Sequence, residues 1–331
     1  MAGPGRIHEF AAIAQLEGIF RAQSRLVEVG IGDDAAVLKP RGRLVWTVDT
    51  AVEHVHFERR WLSLAELGWR SFQAAASDVC AMAGQPAVAL SSVIFPAEFS
   101  AAELTQLARG QRAAARALGC QIVGGNLSRG AELSITTTLL GTAQRPLLRS
   151  GAKPGDELWL VGDVGLAAAG LRLLQTGKSR SRSSAAQQAL RAFRKPSAQL
   201  AGGLALARRA RAAIDISDGL AGDAAHLANA SNVRLVFDLA ALEMTCAPAL
   251  RVLSVELGVP VLDWALYGGE DYALLAAGPK RARPTGARVI GSVEAGRGVW
   301  LAGTLSGKKT RFRAGAGFQH TSGRKPRSGR A

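Results

Sequence analysis

Hydrophobic residues recur along the chain in two patterns, short continuous apolar runs and longer stretches with apolar positions three or four residues apart. Continuous runs predict buried strands, and the spaced stretches predict helices. In the first half the predicted strands are 44–49, 87–95, "CQIVGG" and "ELSITTTLLG", and the predicted helices are 63–83 and 100–119. Ser100 and Gly119 stand where a helix N-cap and a helix stop are expected.

The alternation continues after "LLRSGAKPGDEL" (147–158), a turn-rich stretch that predicts a domain boundary. Strands are predicted at "LWLVG", "AAIDIS" and "VRLVFDL", helices at "LAAAGLRLLQ", "PSAQLAGGLALARRA" and "GLAGDAAHLANAS", and a turn into a strand at "LYGGEDYALLAAG". The pattern predicts a mixed α/β (α+β) fold with domains at 1–146 and 147–320, and a basic disordered tail at 321–331. The strand order stays open.

Composition narrows the class of protein. A chain of 331 residues can form two hydrophobic cores, and 48% hydrophobic with 20% charged residues is ordinary for a globular protein. No apolar stretch is long enough to span a bilayer, and the N-terminus lacks the apolar core of a signal peptide. Three widely spaced cysteines provide neither a disulfide framework nor metal-ligand spacing. We therefore expect a cytoplasmic protein with no membrane partner.

The net charge of +15 is concentrated in a few segments, namely 176–184, 206–212, 307–313 and 322–331. Such segments can attract RNA through phosphate contacts, and that binding would weaken with salt. A solvated basic surface explains the same charge equally well. The charge alone therefore leaves a nucleic-acid partner open.

Acidic residues follow apolar segments or glycine turns at several places. Asp33 and Asp34 lie together in "GIGDDAAVL", and the others are Asp49, Asp78, Asp215, Asp218, Glu270 and Asp271. Carboxylates that converge raise one another's pKa, whereas Mg²⁺ takes oxygen ligands from carboxylates together with substrate phosphates. The set therefore predicts several Mg²⁺ ions around a polyphosphate. For each residue alone, a turn or N-cap role is the alternative.

The common nucleotide-binding motifs are absent. The segment "GLRLLQTGKS" (170–179) ends like a phosphate-binding loop, but Arg172 stands where its first glycine is required. The glycine-rich "GDVGLAAAG" (162–170) does not match the dinucleotide-binding pattern either. A nucleotide site in this chain must therefore use another design.

Several motifs occur in an order that resembles one known family. They are "GIGDDAAVL", "VDT…HF", "SDVCAMAGQP", "GGN…RG", "LLRSGAKPGDELWLVG", "IDISDGLAGD" and "GGEDYALL", with a weaker continuation in "GAGFQH". The ordered set is similar to the thiamine-monophosphate kinases of the aminoimidazole-ribotide-synthetase-like ATP-binding superfamily. The resemblance implies an N-terminal α/β domain that pairs with a second copy into a shared barrel, a C-terminal α/β domain, and ATP in the cleft.

The activity implied by this resemblance is transfer of phosphate from ATP to thiamine monophosphate, which produces thiamine diphosphate. The implied Mg²⁺ ligands are Asp33, Thr47, Asp49, Asp78, Asn126, Asp215 and Asp218. The implied ATP contacts are Gly124, Gly125, Arg149 and Ser217, and the implied thiamine-phosphate contacts are His56, Glu270 and Phe318. No general base is expected, because a phosphate nucleophile with a second pKa of about 6 is already ionised near neutral pH. Catalysis then requires only that the two substrates are positioned for transfer and that their negative charges are neutralised.

The chain departs from the family pattern at four places. Asn126 replaces the aspartate of a GGD motif, and Val48 replaces a hydroxyl residue before Asp49. "GLA" replaces a G-D-S turn at 165–167, and Ala75 replaces an asparagine. These changes put the metal count and the rate in question. They leave two alternatives open, a degenerate superfamily member that binds nucleotide or RNA without kinase activity, and a related purine-pathway ATP-dependent synthase.

Other relatives fit less well. A hydrogenase-maturation protein would be expected to end in a reactive cysteine, but no cysteine follows Cys246. A selenophosphate synthetase would need an N-terminal reactive cysteine with a nearby lysine, and residues 1–30 contain neither. The kinase family therefore remains the resemblance that the motifs favour.

Overall fold

A computed structural model describes residues 9–20, 26–29, 31, 36–40, 42–178, 180–303 and 309–311. Asp33, Asp34, Phe318 and the predicted tail at 321–331 lie outside the described residues. The elements of the first half are α1 (Glu9–Phe20), β1 (Val27–Val29), β2 (Val37–Leu38), β3 (Arg43–Val52), α2 (Leu64–Ala81), β4 (Gln85–Phe95), α3 (Ala101–Ala117), β5 (Gln121–Arg129) and β6 (Ser134–Ala143).

In the second half, ten helices and strands precede four final strands. They are β7 (Glu157–Val161), α4 (Leu166–Gln175), α5 (Ser184–Arg194), α6 (Leu200–Leu206), β8 (Ala212–Ile216), α7 (Leu220–Ser231), β9 (Arg234–Asp238), α8 (Leu239–Thr245), α9 (Pro248–Leu257) and α10 (Val261–Tyr267), followed by β10 (Ala273–Gly278), β11 (Arg288–Glu294), β12 (Gly298–Ala302) and β13 (Thr310–Arg311). None of the helices in the described ranges combines the length and apolar character that crossing a bilayer requires.

The first half is built on a four-stranded sheet in the order β3-β6-β4-β5, with β4 and β5 parallel and the other pairs antiparallel. Helix α2 packs against β3, β4 and β6, and α3 packs against β5. The opposite face of the sheet carries exposed apolar side chains, among them Trp46 at 73% and Val48 at 61% exposure. One face of this sheet is therefore covered, and the other is open.

Helix α2 begins with a reciprocal cap. The Ser63 side chain accepts from the Glu66 amide, and the Glu66 carboxylate accepts from the Ser63 amide, which satisfies two of the free donors at the helix start. Glycines then bring α2 and α3 into close contact. A Cβ on Gly110 would lie 2.0 Å from the Ala65 carbonyl oxygen, and one on Gly68 would lie 2.1 Å from that of Leu107. The crossing therefore requires both glycines.

The second half contains a seven-stranded sheet in the order β13-β12-β9-β11-β7-β10-β8, in which only β9 and β12 are parallel. Every residue of β8 and β10 is buried, so both faces of the sheet are covered there. Helix α2 packs against β8, α5 and α6 of this half. The largest hydrophobic cluster contains Ile135 of the first sheet as well as Leu158 and Phe193 of the second half. The two halves therefore share one core.

One predicted helix differs from the structure, and four helices of the second half were not predicted. The helix predicted at 196–210 is shorter, because α6 begins at Leu200 and Arg208 lies in a turn with φ of 61°. Helix α5, which was not predicted, precedes Pro196 and buries Ala186, Ala189, Leu190 and Phe193 at helical spacing. The many Ser and Arg residues before it hid this apolar face. Helices α8–α10 were also missed, because each is only seven to ten residues long.

The α2–α3 crossing makes Gly110→Ala a sharp test of the packing. The added methyl group would collide with the backbone of Ala65, so we expect the free energy of unfolding to fall by about 3 kcal/mol. Gly222→Ala in α7 is the matched control, because nothing lies within 4 Å of its Cβ position. The control is expected to gain about 0.5 to 1 kcal/mol from helix propensity. Chemical denaturation of both variants measures the difference, and equal values would contradict the crossing.

Candidate functional site

A cleft of about 380 Å³ opens between the two halves of the molecule. Strand β3, the loop after it and helix α2 form one wall, and the ends of β8, α4 and β10 form the other. The polar side chains that line it are Asp49, Thr50, His56, Arg70, Ser71, Asp78, Asp215, Ser217, Asp218, Glu270 and Tyr272. Seven of the predicted site residues therefore meet in one place.

Asp78 lies in the last turn of α2, within the helix predicted over 63–83. The hydroxyl group of Thr47 on β3 donates to Asp78 Oδ2 at 2.6 Å. Because side chains alternate along a strand, Asp49 lies on the same face of β3 as Thr47. A carboxylate near a helix C-terminus opposes the helix dipole. A bound cation at Asp78 would relieve that conflict.

Asp215, the fourth residue of β8, is 6% exposed and faces the same cleft. Burial and the negative charge of Asp78 raise its pKa to about 7, and the positive charge of Arg149 acts in the opposite direction. The Asp78 carboxylate is thus held close enough to Asp215 to disfavour the ionisation of Asp215. A divalent cation between them would favour the ionised form of both.

The loop that follows β8 is held by a residue that the sequence analysis did not assign. The Asp223 Oδ2 atom accepts from the backbone amides of Ser217 at 3.0 Å, Asp218 at 3.1 Å and Gly219 at 3.2 Å. Burial, Asp215 and Asp218 raise the pKa of Asp223 to about 7, and the amides partly offset this. Asp223 therefore sets the direction in which Ser217 and Asp218 enter the cleft. The sequence indicated this role only through the position of Asp223 at the end of "SDGLAGD", in the first turn of α7.

A second loop, 268–272, is docked on the first. The amide of Glu270 donates to the Ser217 carbonyl oxygen at 2.6 Å, and the amide of Tyr272 donates to that of Ile216 at 2.9 Å. Glu270 and Tyr272 have positive φ values of 65° and 50°, which non-glycine residues adopt only when their surroundings hold them there. The contacts between the two loops therefore fix the Glu270 side chain at the cleft.

Arg70 is a second residue that the sequence analysis missed. It is buried in the middle of α2, forms an ion pair with Glu270 and donates to the Phe193 carbonyl oxygen. Its guanidinium carbon lies 4.2 Å from the centroid of the Phe193 ring. A buried arginine in a helix requires an acidic partner. Its occurrence among the buried positions of α2 was therefore the feature of the sequence that could have indicated such a pair. Arg70 therefore joins α2 to the Glu270 loop.

His56 and Asp271 have different local roles. His56 Nδ1 accepts from the Val52 amide at 3.1 Å, so the ring is held by the turn after β3 while it lines the cleft. Asp271 accepts from the amides of Gly165 at 2.8 Å and Ala167 at 3.3 Å. Burial raises the pKa of Asp271 to about 8, and these two amides partly offset it. Asp271 thus stabilises the start of α4. It is not one of the residues that line the cleft.

Besides Thr47, which donates to Asp78, four other predicted site residues do not line the cleft. Gly124, Gly125 and Asn126 lie on β5, and Asn126 shares a row across the sheet with Ser92, Thr136 and Thr50. That row is on the open face, opposite the face of Asp49, and Asn126 is exposed. Arg149 is exposed, although its charge acts on Asp215. The structure thus separates the β5 residues from the aspartate cluster of a single chain.

No three His, Cys, Asp or Glu side chains of the described residues converge closely enough to hold a metal ion. Mg²⁺ usually takes only one or two carboxylates and completes its shell with phosphate oxygens and water. Asp49, Asp78, Asp215 and Asp218 are oxygen donors on two facing walls, which fits ions shared with a phosphorylated ligand. The donor set therefore suits Mg²⁺ bound together with a nucleotide.

Comparisons with known proteins agree with this architecture. Two family models match the chain, the N-terminal domain of AIR synthase related proteins over residues 32–143 and the C-terminal domain over 153–300. The thiamine-monophosphate kinase of Aquifex aeolicus is 34% identical over 276 residues, which are 82% of this chain and 89% of that protein. The thiamine-monophosphate kinase of Mycobacterium tuberculosis is 36% identical over 294 residues, 87% and 85% of the two chains.

A solved structure of AaThiL complexed with AMPPCP and TMP has the same fold. It matches with a TM-score of 0.78 and 30% identity, over 94% of this chain and 96% of that chain. The relatives and this chain therefore correspond over nearly their whole lengths, including both walls of the cleft.

Removal of the Asp223 carboxylate should disorder the loop it holds. We expect Asp223→Ala to lower the free energy of unfolding by about 2 kcal/mol, because buried amides lose their acceptor. Asp238→Ala is the control, since Asp238 caps α8 through the single amide of Ala241. Hydrogen exchange should speed up at Ser217, Asp218 and Gly219 only in the first variant. Unchanged exchange there would show that Asp223 does not hold the loop.

Proposed function

This chain belongs to the thiamine-monophosphate kinase family, and on that basis we propose that it transfers a phosphoryl group from ATP to thiamine monophosphate. The products are ADP and thiamine diphosphate. The observation that carries the proposal is the cleft in which Asp49, Asp78, Asp215 and Asp218 face one another. The reaction brings two phosphorylated anions together, so a site of this chemistry needs cations and positioning more than a base.

Mg²⁺ would be held by Asp49, Asp78, Asp215 and Asp218, with Thr47 keeping the Asp78 carboxylate in place. Bound Mg²⁺ would neutralise the negative charge that the transferred phosphoryl group spreads over its oxygens. The aspartates provide opposing donors from α2 and the β8 loop, so phosphates would lie between the two walls. Asp33 belongs to the same proposal through its motif in the sequence.

Ser217 and Arg149 are assigned to ATP. Ser217 lies in the loop that Asp223 holds, so its hydroxyl group has a defined position beside the aspartates. Arg149 is exposed and acts electrostatically on Asp215, which places a positive charge where nucleotide phosphates would arrive. The ATP phosphates would thus contact Mg²⁺ taken up from solvent as well as the positively charged Arg149 side chain.

His56 and Glu270 are assigned to thiamine monophosphate. The thiazolium ring of this substrate is cationic, and Glu270 offers a carboxylate that Arg70 holds in place, while the Glu270 backbone amide donates to the Ser217 carbonyl oxygen. Phe57, Leu67 and Leu171 add apolar wall beside it, which suits an aromatic ring. The substrate would therefore lie at the Glu270 end and ATP near the aspartates.

We also propose a homodimer formed through the open face of the first sheet. Trp46, Val48, Leu90 and Ile94 on this face are each at least 40% exposed. Contiguous exposed apolar surface of this kind marks interaction sites. Gly124 and Asn126 lie on the same face, and Gly125 lies between them in the row of Ser91, Thr137 and Asp49 on the opposite face. A second copy docked on this face would lie close to these three β5 residues. We propose that they act at this dimer interface.

The dimer proposal predicts that Trp46→Glu yields monomers. A charge at the centre of an apolar interface is costly because it loses its hydration, whereas β3 itself is unaffected by an outward-facing substitution. Val255→Glu is the control, since Val255 is 86% exposed on α9, away from the sheet. Sedimentation velocity should show a dimer for the control and the unmodified protein. Monomers in all three proteins would contradict the interface.

The kinase proposal is tested by incubating the protein with ATP, Mg²⁺ and thiamine monophosphate and measuring thiamine diphosphate. We expect Asp78→Asn to lower kcat by at least about a thousandfold, because it removes a negative charge that would hold Mg²⁺ against the reacting phosphates. The melting temperature of the metal-free variant should stay equal or rise, since repulsion of Asp215 and the helix dipole is relieved.

Asp263→Asn, an exposed acid on α10, is the control for this measurement and should retain full turnover. Full turnover in Asp78→Asn would remove Asp78 from the site. Absence of thiamine diphosphate from the unmodified protein, with ATP still bound, would favour the degenerate nucleotide-binding alternative that the Asn126 replacement suggests.

A further inference from the structure

The second sheet has two ends, and the cleft uses only one of them. At the cleft end, Ile216 pairs with Ala273, next to the loops that carry Asp218 and Glu270. At the other end, Ala212 pairs with Ala277 and Glu157 pairs with Gly278. A five-residue strand spans about 16 Å, so surface at this far end is separate from the cleft.

Three chain segments meet at the far end, 144–157, 207–211 and 278–283. The amide of Arg211 donates to the Ala277 carbonyl oxygen at 2.8 Å, and Arg208 Nη2 donates to Gln144 Oε1 at 3.2 Å. A Cβ on Gly278 would lie 3.1 Å from the Arg209 carbonyl oxygen. The fold thus holds together segments that are far apart in sequence.

These segments share exposed cationic side chains. We call them the far-end basic surface, and its members are Arg145, Lys153, Arg208, Arg209, Arg211, Lys280, Arg281 and Arg283. None of them lines the cleft. Arg149, in the first segment, is assigned to ATP and is not counted here. One of the basic stretches in the sequence, 206–212, is therefore part of a larger surface assembled by the fold.

Acidic partners neutralise only a small part of this surface. Asp156 pairs with Arg211 at 2.6 Å, and Glu157 pairs with Arg283 at 3.4 Å. These are the only acids in the three segments. Arg145, Lys153, Arg209, Lys280 and Arg281 form no ion pair with any residue in the described ranges. Five exposed cations are therefore available to an external anion.

We propose that the far-end basic surface binds the phosphate backbone of double-stranded nucleic acid. Exposed Lys and Arg neutralise phosphates without reading the bases, and a duplex presents phosphates in regular rows. The three segments contain no aromatic residue, so they offer no rings on which unpaired bases could stack. An anionic bilayer would be better matched by basic residues interleaved with Trp or Phe. The chemistry thus favours a duplex over a single strand or a membrane.

The test is binding of a fluorescein-labelled RNA duplex of about 20 base pairs, followed by anisotropy across a salt series. Each neutralised phosphate contributes about −0.9 to the slope of log affinity against log salt, so the five available cations predict a slope of about −4.5. The same strand without its complement should bind more weakly. A DNA duplex should bind about as well as the RNA duplex, because phosphates are the common target.

The test variant carries Arg209→Glu, Lys280→Glu and Arg281→Glu. Removal of three contacts should weaken duplex binding at least about tenfold and reduce the slope to about −2, while turnover of thiamine monophosphate stays unchanged. The matched control carries Lys178→Glu, Arg180→Glu and Arg182→Glu, which changes the net charge equally on another exposed basic stretch. The control should lose less than about threefold.

Equal losses in the two triple variants would overturn the proposal, because net charge alone would then explain binding. No duplex binding by the unmodified protein at low salt would also overturn it. So would tighter binding to the single strand, or to phosphatidylserine vesicles, than to the duplex. Since turnover is measured on the same samples, failure of this surface is distinguishable from failure of the kinase proposal.

Discussion

The cleft depends on helix α2, because this helix packs against the first sheet and is also hydrogen-bonded to the second half. Trp69 Nε1 donates to the Pro196 carbonyl oxygen at 2.6 Å, and Gln73 Oε1 accepts from the Ala198 amide at 2.8 Å. Arg70, between them, pairs with Glu270. The last turn of the same helix presents Asp78 to Asp215. A shift of α2 would therefore move the Asp78 end and the Glu270 end of the cleft together, which are the proposed metal-binding and substrate-binding ends.

The aspartates in this cleft are held in place by contacts that do not depend on a ligand. Thr47 orients Asp78, strand pairing places Asp215, and Asp223 collects three amides that direct the loop of Asp218. Charge repulsion among the carboxylates remains, and together with burial, the larger cause, the charge of Asp78 raises the pKa of Asp215. Such a site is pre-organised for cations, since binding costs little rearrangement and removes an existing repulsion. This is the arrangement that in-line transfer between two phosphates requires.

The sequence predicted most strands and the long helices, because their apolar periodicity and caps are local signals. The Ser100 cap of α3 and the positive φ of Gly119 are examples. The sequence also indicated the cleft aspartates, through their motifs. It could not indicate Arg70 as a partner of Glu270, since 200 residues separate them and only the tertiary packing of α2 against the second half brings them together. Helix α5 was hidden by the basic residues around it, and the strand order depends on contacts distant in sequence.

Asn126 shows why the position of a motif residue matters as much as its identity. Its row on β5 continues through Ser92 and Thr136 to Thr50, where two hydroxyl groups lie 3.0 Å apart. In the proposed dimer this polar row would face a second copy of the apolar face. A carboxylate enclosed there would lose its hydration and need a cation, whereas a neutral amide can be satisfied by hydrogen bonds. With asparagine at 126, the proposed binding of Mg²⁺ in this chain would depend on Asp49, Asp78, Asp215 and Asp218, which line the cleft within a single chain.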